Sequence, residues 1–265
     1  MRSIGQPLRF KSLGSGSSGN ATVIETARPG SRPVRLLVDC GLGIKQLELR
    51  LAQAGLQLVD MDAVFITHEH GDHIGCAPAL CTRLGIPIWM SYGTYSAIGS
   101  PNLDGLFHLA GDGHTIDLGG LQITPFTVPH DAREPLQLTC TDGDKKLGVL
   151  TDLGHVTPHV LQQLAGCHAL FLECNHDTAL LEQSGYPVFL KKRVGGLYGH
   201  LSNDAAADIA RTVQHHGLQH LIASHLSEQN NRPELARKAM AIALNCHGDD
   251  IVVADAKSGS PWLSL

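Results

Sequence analysis

The segment Thr67-His68-Glu69-His70-Gly71-Asp72-His73 gathers three imidazoles and two carboxylates into one short turn. Neutral imidazole nitrogens and carboxylate oxygens are ligands that zinc, iron and manganese accept, and Gly71 lets the loop direct its side chains toward more than one ion. The other reading of such a turn is a solvated polar loop, but a cluster this dense is costly to bury without a cation. Further on, Val128-Pro129-His130-Asp131 and Leu150-Thr151-Asp152-Leu153-Gly154 each place a candidate ligand after an apolar stretch, and His225 follows Leu221 to Ser224 in the same way. A first ion held by His68, His70 and His130 and a second by Asp72, His73 and His225 need a carboxylate between them. Asp152 supplies it.

The elements that must position these residues are legible as apolar runs. Val34 to Asp39 reads as a buried strand ending on a carboxylate, and Ala63 to Thr67 as a strand that delivers the chain into His68. Between them, Leu47, Leu51 and Ala54 recur at helical spacing over Ile44 to Ala54, before Gly55. Further strands are expected at Ile86 to Met90, Ile123 to Val128, Leu136 to Thr141, Leu147 to Thr151, Ala169 to Glu173 and Leu221 to Ser224. Helices are expected near Val156 to Leu164, Asn203 to His215 and Pro233 to Leu244, the last with Pro in its first turn. Strands alternating with helices imply an α/β (α+β) layered fold. His68, His130, Asp152 and His225 all fall at strand ends, where loops can converge on one cleft.

The 265 residues, 43% of them hydrophobic and 17% charged, suffice for one substantial core, so a single domain over residues 1–265 is expected. Met1 to Phe10 contains no apolar stretch long enough for a signal peptide, and no later run reaches membrane-spanning length, so no membrane partner and a cytoplasmic location are expected. Seven cysteines without a Cys-x-x-Cys pair fit reduced thiols better than a disulfide framework. A net charge of −5 argues against coating nucleic acid through bulk positive charge. It leaves a nuclease open, because two divalent cations would bring about four positive charges to one cleft.

The order His-x-His-x-Asp-His, then His, Asp and His, resembles the metallo-β-lactamase superfamily across nearly the whole chain. Ser15-Gly16-Ser17-Ser18-Gly19-Asn20, Val38-Asp39-Cys40-Gly41, Thr151-Asp152-Leu153-Gly154, Glu173-Cys174-Asn175-His176-Asp177, Gly199-His200-Leu201-Ser202-Asn203 and His225-Leu226-Ser227-Glu228-Gln229-Asn230-Asn231 resemble its YycJ/WalJ (VicX-like) branch of nucleases. The resemblance implies a four-layer αββα sandwich with a dinuclear site at one edge. It implies metal ligation by His68, His70, Asp72, His73, His130, Asp152 and His225. Asp at the bridging position, where secreted zinc β-lactamases have Cys, points away from antibiotic hydrolysis, and His70 stands where the diiron redox branch usually carries Glu.

The expected chemistry is phosphodiester hydrolysis of a nucleic-acid substrate, most closely that of a DNA exonuclease. Two divalent ions (zinc, manganese or iron) would lower the pKa of a bridging water toward about 7 and neutralise charge on the phosphoryl oxygens. Thioester or lactone hydrolysis on the same ligand set is the alternative. Asp72 and His200 are the expected catalytic residues, His200 as the acid for the leaving group by resemblance to phosphodiesterase relatives. The rival reading makes His200 an ordinary residue beside the helix cap Ser202. Ser17, Ser18 and Asn20 belong to a run that serves either as an anion nest or as a flexible hairpin turn. Lys192 and Arg193 either steer a nucleic-acid backbone or form a solvated face. Asp39 is a candidate for holding a ligand histidine in one tautomer, His176 for lining the cleft, and His215 and His216 read as exposed helix-end residues.

Overall fold

A computed structural model describes residues 6–28 and 30–265. The first five residues of the Met1–Phe10 stretch considered above lie outside the described residues. Two seven-stranded sheets stack face to face. The first contains β1 (Gln6–Gly14), β2 (Ala21–Ala27), β3 (Val34–Val38), β4 (Ala63–Phe65), β5 (Ile88–Met90) and β6 (Phe107–Leu109) in spatial order, with the last strand, β14 (Leu263–Ser264), outside β1. The second runs β13 (Ile251–Val253), β12 (His220–Ser224), β11 (Ala169–Glu173), β10 (Lys146–Leu150), β9 (Leu136–Thr141), β8 (Gln122–Thr127) and β7 (Ile116–Asp117).

Period-two burial holds the layers together. In β3, Leu36 and Val38 enter the core between the sheets, while Leu37 faces the outer core under helices α1 (Ile44–Gln53) and α3 (Ala77–Leu84). In β11, Ala169 and Phe171 join the central core, while Leu170 and Leu172 pack under α5 (Pro158–Leu164), α8 (Asn203–Val213) and α9 (Pro233–Leu244). Every side chain of β11 is buried, which explains its continuous apolar text. The result is the expected four-layer αββα sandwich. The shorter helices α2 (Gly71–Ile74), α4 (Tyr92–Ala97), α6 (Thr178–Gln183) and α7 (Val188–Val194) lie in the connections.

Strand direction places the functional ends together. β3, β4 and β5 are mutually parallel in one sheet, and β10, β11 and β12 in the other. Their carboxyl ends therefore emerge at shared sheet edges, where Asp39, His68, Asp152, Glu173 and His225 sit. The expected strand Ala63 to Thr67 stops at Phe65, partly because the Thr67 N–H donates to Asp39 Oδ1 at 2.9 Å and not to a neighbouring strand. The helix expected over Asn203 to His215 ends at Val213. His215 is half-buried, its Nε2 2.9 Å from the Cys167 carbonyl, which corrects the expectation of an exposed position; His216 is exposed. Pro233 does open the final helix, and Ser202 Oγ caps α8 by accepting from the Ala205 N–H at 3.2 Å. Among the described residues no helix is long and apolar enough to cross a membrane.

Candidate metal centre

After β4 the chain passes through His68 and His70 into the single turn of α2, which carries Asp72 and His73. Backbone pairing fixes this turn: Asn20 N–H donates to the Asp72 carbonyl and Cys40 N–H to the His73 carbonyl, both at 2.8 Å. Gly41 permits the approach, since a Cβ there would stand 1.7 Å from the Asp72 carbonyl oxygen. His225 adopts a left-handed backbone (φ 55°), unusual for a side chain of its size, and its N–H donates to Ser15 Oγ at 2.7 Å. The loop after β1 thus holds a residue that follows β12 in the opposite sheet.

Hydrogen bonding fixes the histidine tautomers. His130 Nδ1 lies 3.0 Å from the Gly199 carbonyl and His73 Nδ1 lies 2.8 Å from Asp39 Oδ2, so each donates there and turns Nε2 into the cleft. Thr67 Oγ1 is 3.0 Å from both oxygens of Asp39, so it donates to that carboxylate and accepts from His68 Nδ1 at 3.0 Å. His225 Nδ1 lies between Asp152 Oδ1 at 3.2 Å and Glu173 Oε1 at 3.3 Å. The inward nitrogens then crowd one another: His68 Nε2 and His130 Nε2 stand 3.0 and 3.3 Å from His70 Nδ1. On the other side, Asp72 Oδ2 lies 3.4 Å from His225 Nε2 and 3.6 Å from His73 Nε2.

Donor atoms this close need a proton or a cation between them. Asp152 Oδ2 and His225 Nε2 are moreover buried without a well-aligned hydrogen bond, although His73 Nε2 and Asp72 Oδ2 respectively lie near them, a state that native proteins rarely tolerate without an ion or water. Asp152 spans the two groups, with Oδ1 3.7 Å from His130 Nε2 and Oδ2 3.1 Å from His73 Nε2. These donor atoms could hold divalent cations on both sides of Asp152.

Electrostatics separates the two groups. Burial, followed by the neighbouring His73, lowers His68 well below the ordinary histidine range, and burial also lowers His130. Burial alone would likewise lower His73, but the charges of Asp152 and then Asp39 outweigh it and raise His73 to about 10. His225 is raised well above its usual value, with Asp152 again overcoming burial; Asp152 is held well below the carboxylate range by His225 and His73 despite its own burial. In the metal-free protein, the proton on His73 therefore balances charge that a cation would otherwise balance, and His225 is shifted in the same direction.

A pH signature follows. Because His73 titrates higher when folded than when unfolded, its stabilising contribution is complete below the unfolded value near 6.5 and disappears as pH rises through about 10. The metal-free protein is expected to lose Tm between pH 7 and 10, and the metal-loaded protein to lose much less. Thermal denaturation with and without chelator across that range checks this; parallel curves would contradict it.

Glu173, at the end of β11, is a functional residue that the sequence pattern alone does not single out. It is fully buried and accepts from the Leu153 N–H at 2.8 Å, the Leu201 N–H at 3.1 Å and His200 Nδ1 at 2.6 Å, besides facing His225. The available signal was its position, a carboxylate closing a strand in the same way as Asp39. His200 stands beside Asp152, Nδ1 to Oδ1 3.5 Å. Burial lowers its pKa, but Glu173 and then Asp152 overcome this and leave it raised.

The remaining candidates are distributed around the cleft. Ser17 and Arg193 line a cavity of about 390 Å³ together with His70, Asp72, Asp152 and His225. Arg193 also pairs with Asp131 at 2.6 Å. Ser18 is exposed and lies outside that lining. Asn20 is buried, with its amide 3.1 Å from His73 Nε2 and 3.4 Å from Asp72 Oδ2, which places it behind the histidine turn. His176 and Lys192 line a neighbouring cavity of about 400 Å³ that meets the first at His200. Asp39 does hold His73 as expected.

Comparisons with known proteins agree with this geometry. Residues 34–226 match the model of the beta-lactamase superfamily domain. The chain is 33% identical to exodeoxyribonuclease YycJ of Bacillus anthracis over 91% of its length and 90% of that protein. It is 32% identical to exodeoxyribonuclease WalJ of Streptococcus pneumoniae over 88% of its length and 86% of that protein. The fold superimposes on the metallo-beta-lactamase fold protein YhfI of Bacillus subtilis with a TM-score of 0.74 at 17% identity, covering 98% of this chain and 100% of the other. From its sequence match, its two stacked sheets and the histidine turn at their edge, the chain belongs to the beta-lactamase superfamily.

Proposed function

We propose that this protein is a dinuclear metal-dependent phosphodiesterase that hydrolyses DNA as an exonuclease. The observation that carries the reading is the convergence of five imidazoles and two carboxylates, with orphaned inward atoms on Asp152 and His225, at one cleft. Similarity to YycJ and WalJ over about nine-tenths of the chain supports the choice of substrate.

His68, His70 and His130 would hold one ion, Asp72, His73 and His225 the other, and Asp152 would serve both. When bound, such ions acidify water and neutralise negative charge on phosphoryl oxygens. His200 acts as the proton donor to the departing alkoxide: Glu173 anchors Nδ1, leaving Nε2 as the other ring position, and the Glu173 carboxylate shifts the ring's pKa upward, in the direction that favours the protonated form. Arg193 lines the cavity wall as an ion pair with Asp131. Asp39, Thr67 and Gly199 keep the ring tautomers fixed, so that little reorganisation accompanies turnover.

The test sets metal-loaded protein on 5′-labelled DNA, bis(p-nitrophenyl) phosphate and a thioester in parallel. Turnover of the thioester without either phosphodiester would refute the reading. His200→Ala is expected to retain its metal content and lose roughly 10²- to 10⁴-fold in DNA hydrolysis. Bis(p-nitrophenyl) phosphate, whose leaving group departs without a proton, is expected to be largely spared; equal losses on both substrates would remove His200 from the role of acid.

A further inference from the structure

The segment from Pro187 to Gly199 is unlike the rest of the chain. Its helix α7, Val188-Phe189-Leu190-Lys191-Lys192-Arg193-Val194, buries no residue although four of its seven side chains are apolar. Val188 is 69% exposed, Phe189 73%, and the following Leu197 and Tyr198 are 67% and 61% exposed. Solvation normally selects against exposed apolar residues packed this closely in one segment, and such patches mark binding surfaces.

The segment is also fixed in place. His155 Nδ1 donates to the Leu197 carbonyl at 2.7 Å and His130 Nδ1 to the Gly199 carbonyl at 3.0 Å. Gly154 makes room for it, since a Cβ there would stand 2.1 Å from the Leu197 carbonyl oxygen. It is continuous with the candidate centre: Leu190, Arg193 and Val194 line the cavity that holds the metal-ligand candidates, while Lys191, Lys192 and Gly195 line its neighbour beyond His200.

Two exposed aromatic rings flanking a run of three cations, beside a phosphate-cleaving cleft, match one kind of partner. Unpaired bases stack on exposed aromatic faces, and the intervening phosphates meet Lys and Arg. We propose that Phe189 and Tyr198 form a base-stacking platform that holds unpaired nucleotides of the strand being cut, with Lys192 contacting their backbone. This rests on the phosphodiesterase reading and narrows its substrate to strand ends with unpaired bases. A duplex end would have to fray to engage the platform.

The test measures binding apart from turnover. Chelator-treated full-length protein is titrated against a single-stranded oligonucleotide containing 2-aminopurine, whose fluorescence changes on stacking. Wild type is expected to alter that fluorescence, and the double variant Phe189→Ala/Tyr198→Ala to bind at least roughly thirtyfold more weakly without the change, the lower bound for losing two base stacks. Phe189→Trp is expected to preserve binding, and Lys192→Ala to reduce the salt dependence of binding by about one counterion. The double variant is expected to hydrolyse bis(p-nitrophenyl) phosphate at the wild-type rate. Unaltered binding and fluorescence in the double variant would overturn the proposal. So would a wild type that sediments as a dimer and a double variant that sediments as a monomer, which would make the rim a self-association face. Absence of phosphodiester turnover in metal-loaded wild type, with stacking intact, would instead refute the phosphodiesterase reading.

Discussion

Replacing Asp152 with Asn is expected to lower phosphodiester hydrolysis by roughly 10³-fold or more, and to reduce metal content below the two ions per chain proposed for the wild type. Loss of a single preorganised charge-stabilising group commonly costs about 10²- to 10³-fold, and Asp152 faces both groups of histidines. Neutralising it also removes the charge that raises His73 and His225. The decline in metal-free stability between pH 7 and 10 should therefore shrink in Asp152→Asn. Metal analysis, steady-state kinetics and chelator-treated melting curves together check the result. A variant that keeps two ions, or keeps the wild-type pH profile without metal, would show that Asp152 is not the shared group.

Glu173→Ala tests a different layer of the same centre. The carboxylate has no exposure and accepts from two backbone N–H groups and from His200, while also facing His225 Nδ1. Removing one partner of a buried charged network typically costs about 3–5 kcal/mol, because the groups left behind are neither solvated nor paired. His200 loses the partner that fixes its proton at Nδ1, and His225 loses part of its orientation. Metal affinity or activity should fall roughly 10- to 100-fold, the range for residues that hold metal-binding histidines in place. Denaturant titration gives the first quantity, and metal binding with kcat gives the second. Glu173→Gln keeps shape and one acceptor and should recover much of the stability but less of the activity. Equal recovery of both would make Glu173 a structural residue only.

The histidine turn, the later ligand candidates and the main alternating strands were readable because their signals are local. An apolar run ending on a His or Asp reports both burial and position, as in Ala63 to His68. The N-terminal strands Gln6–Gly14 and Ala21–Ala27 escaped notice because Arg9, Lys11 and Glu25 interrupt their apolar pattern. Arg35 pairs with Glu25 at 2.7 Å, so that charge is satisfied across strands instead of by solvent. Ser15 and Asn20 read as loop residues suited to phosphate. Their hydrogen bonds run instead to His225 and to the Asp72–His73 turn, partners 210 and about 50 residues distant. The role of Glu173 is equally non-local, since it depends on parallel pairing that brings β10, β11 and β12 to one edge. The exposure of Phe189 and Tyr198 could not be inferred from sequence either, because the apolar residues beside Lys191, Lys192 and Arg193 could equally be the buried side of an amphipathic helix.

The candidate donors come from both halves of the sandwich: His68 to His73 follow a strand of one sheet, whereas His130, Asp152 and His225 follow strands of the other. A cation shared among them would act as a rivet through the open edge of the molecule. Its departure and the parting of the two sheets at that edge would then be linked events, so that ion exchange would report breathing of the whole sandwich, and tight occupancy would be one source of its rigidity.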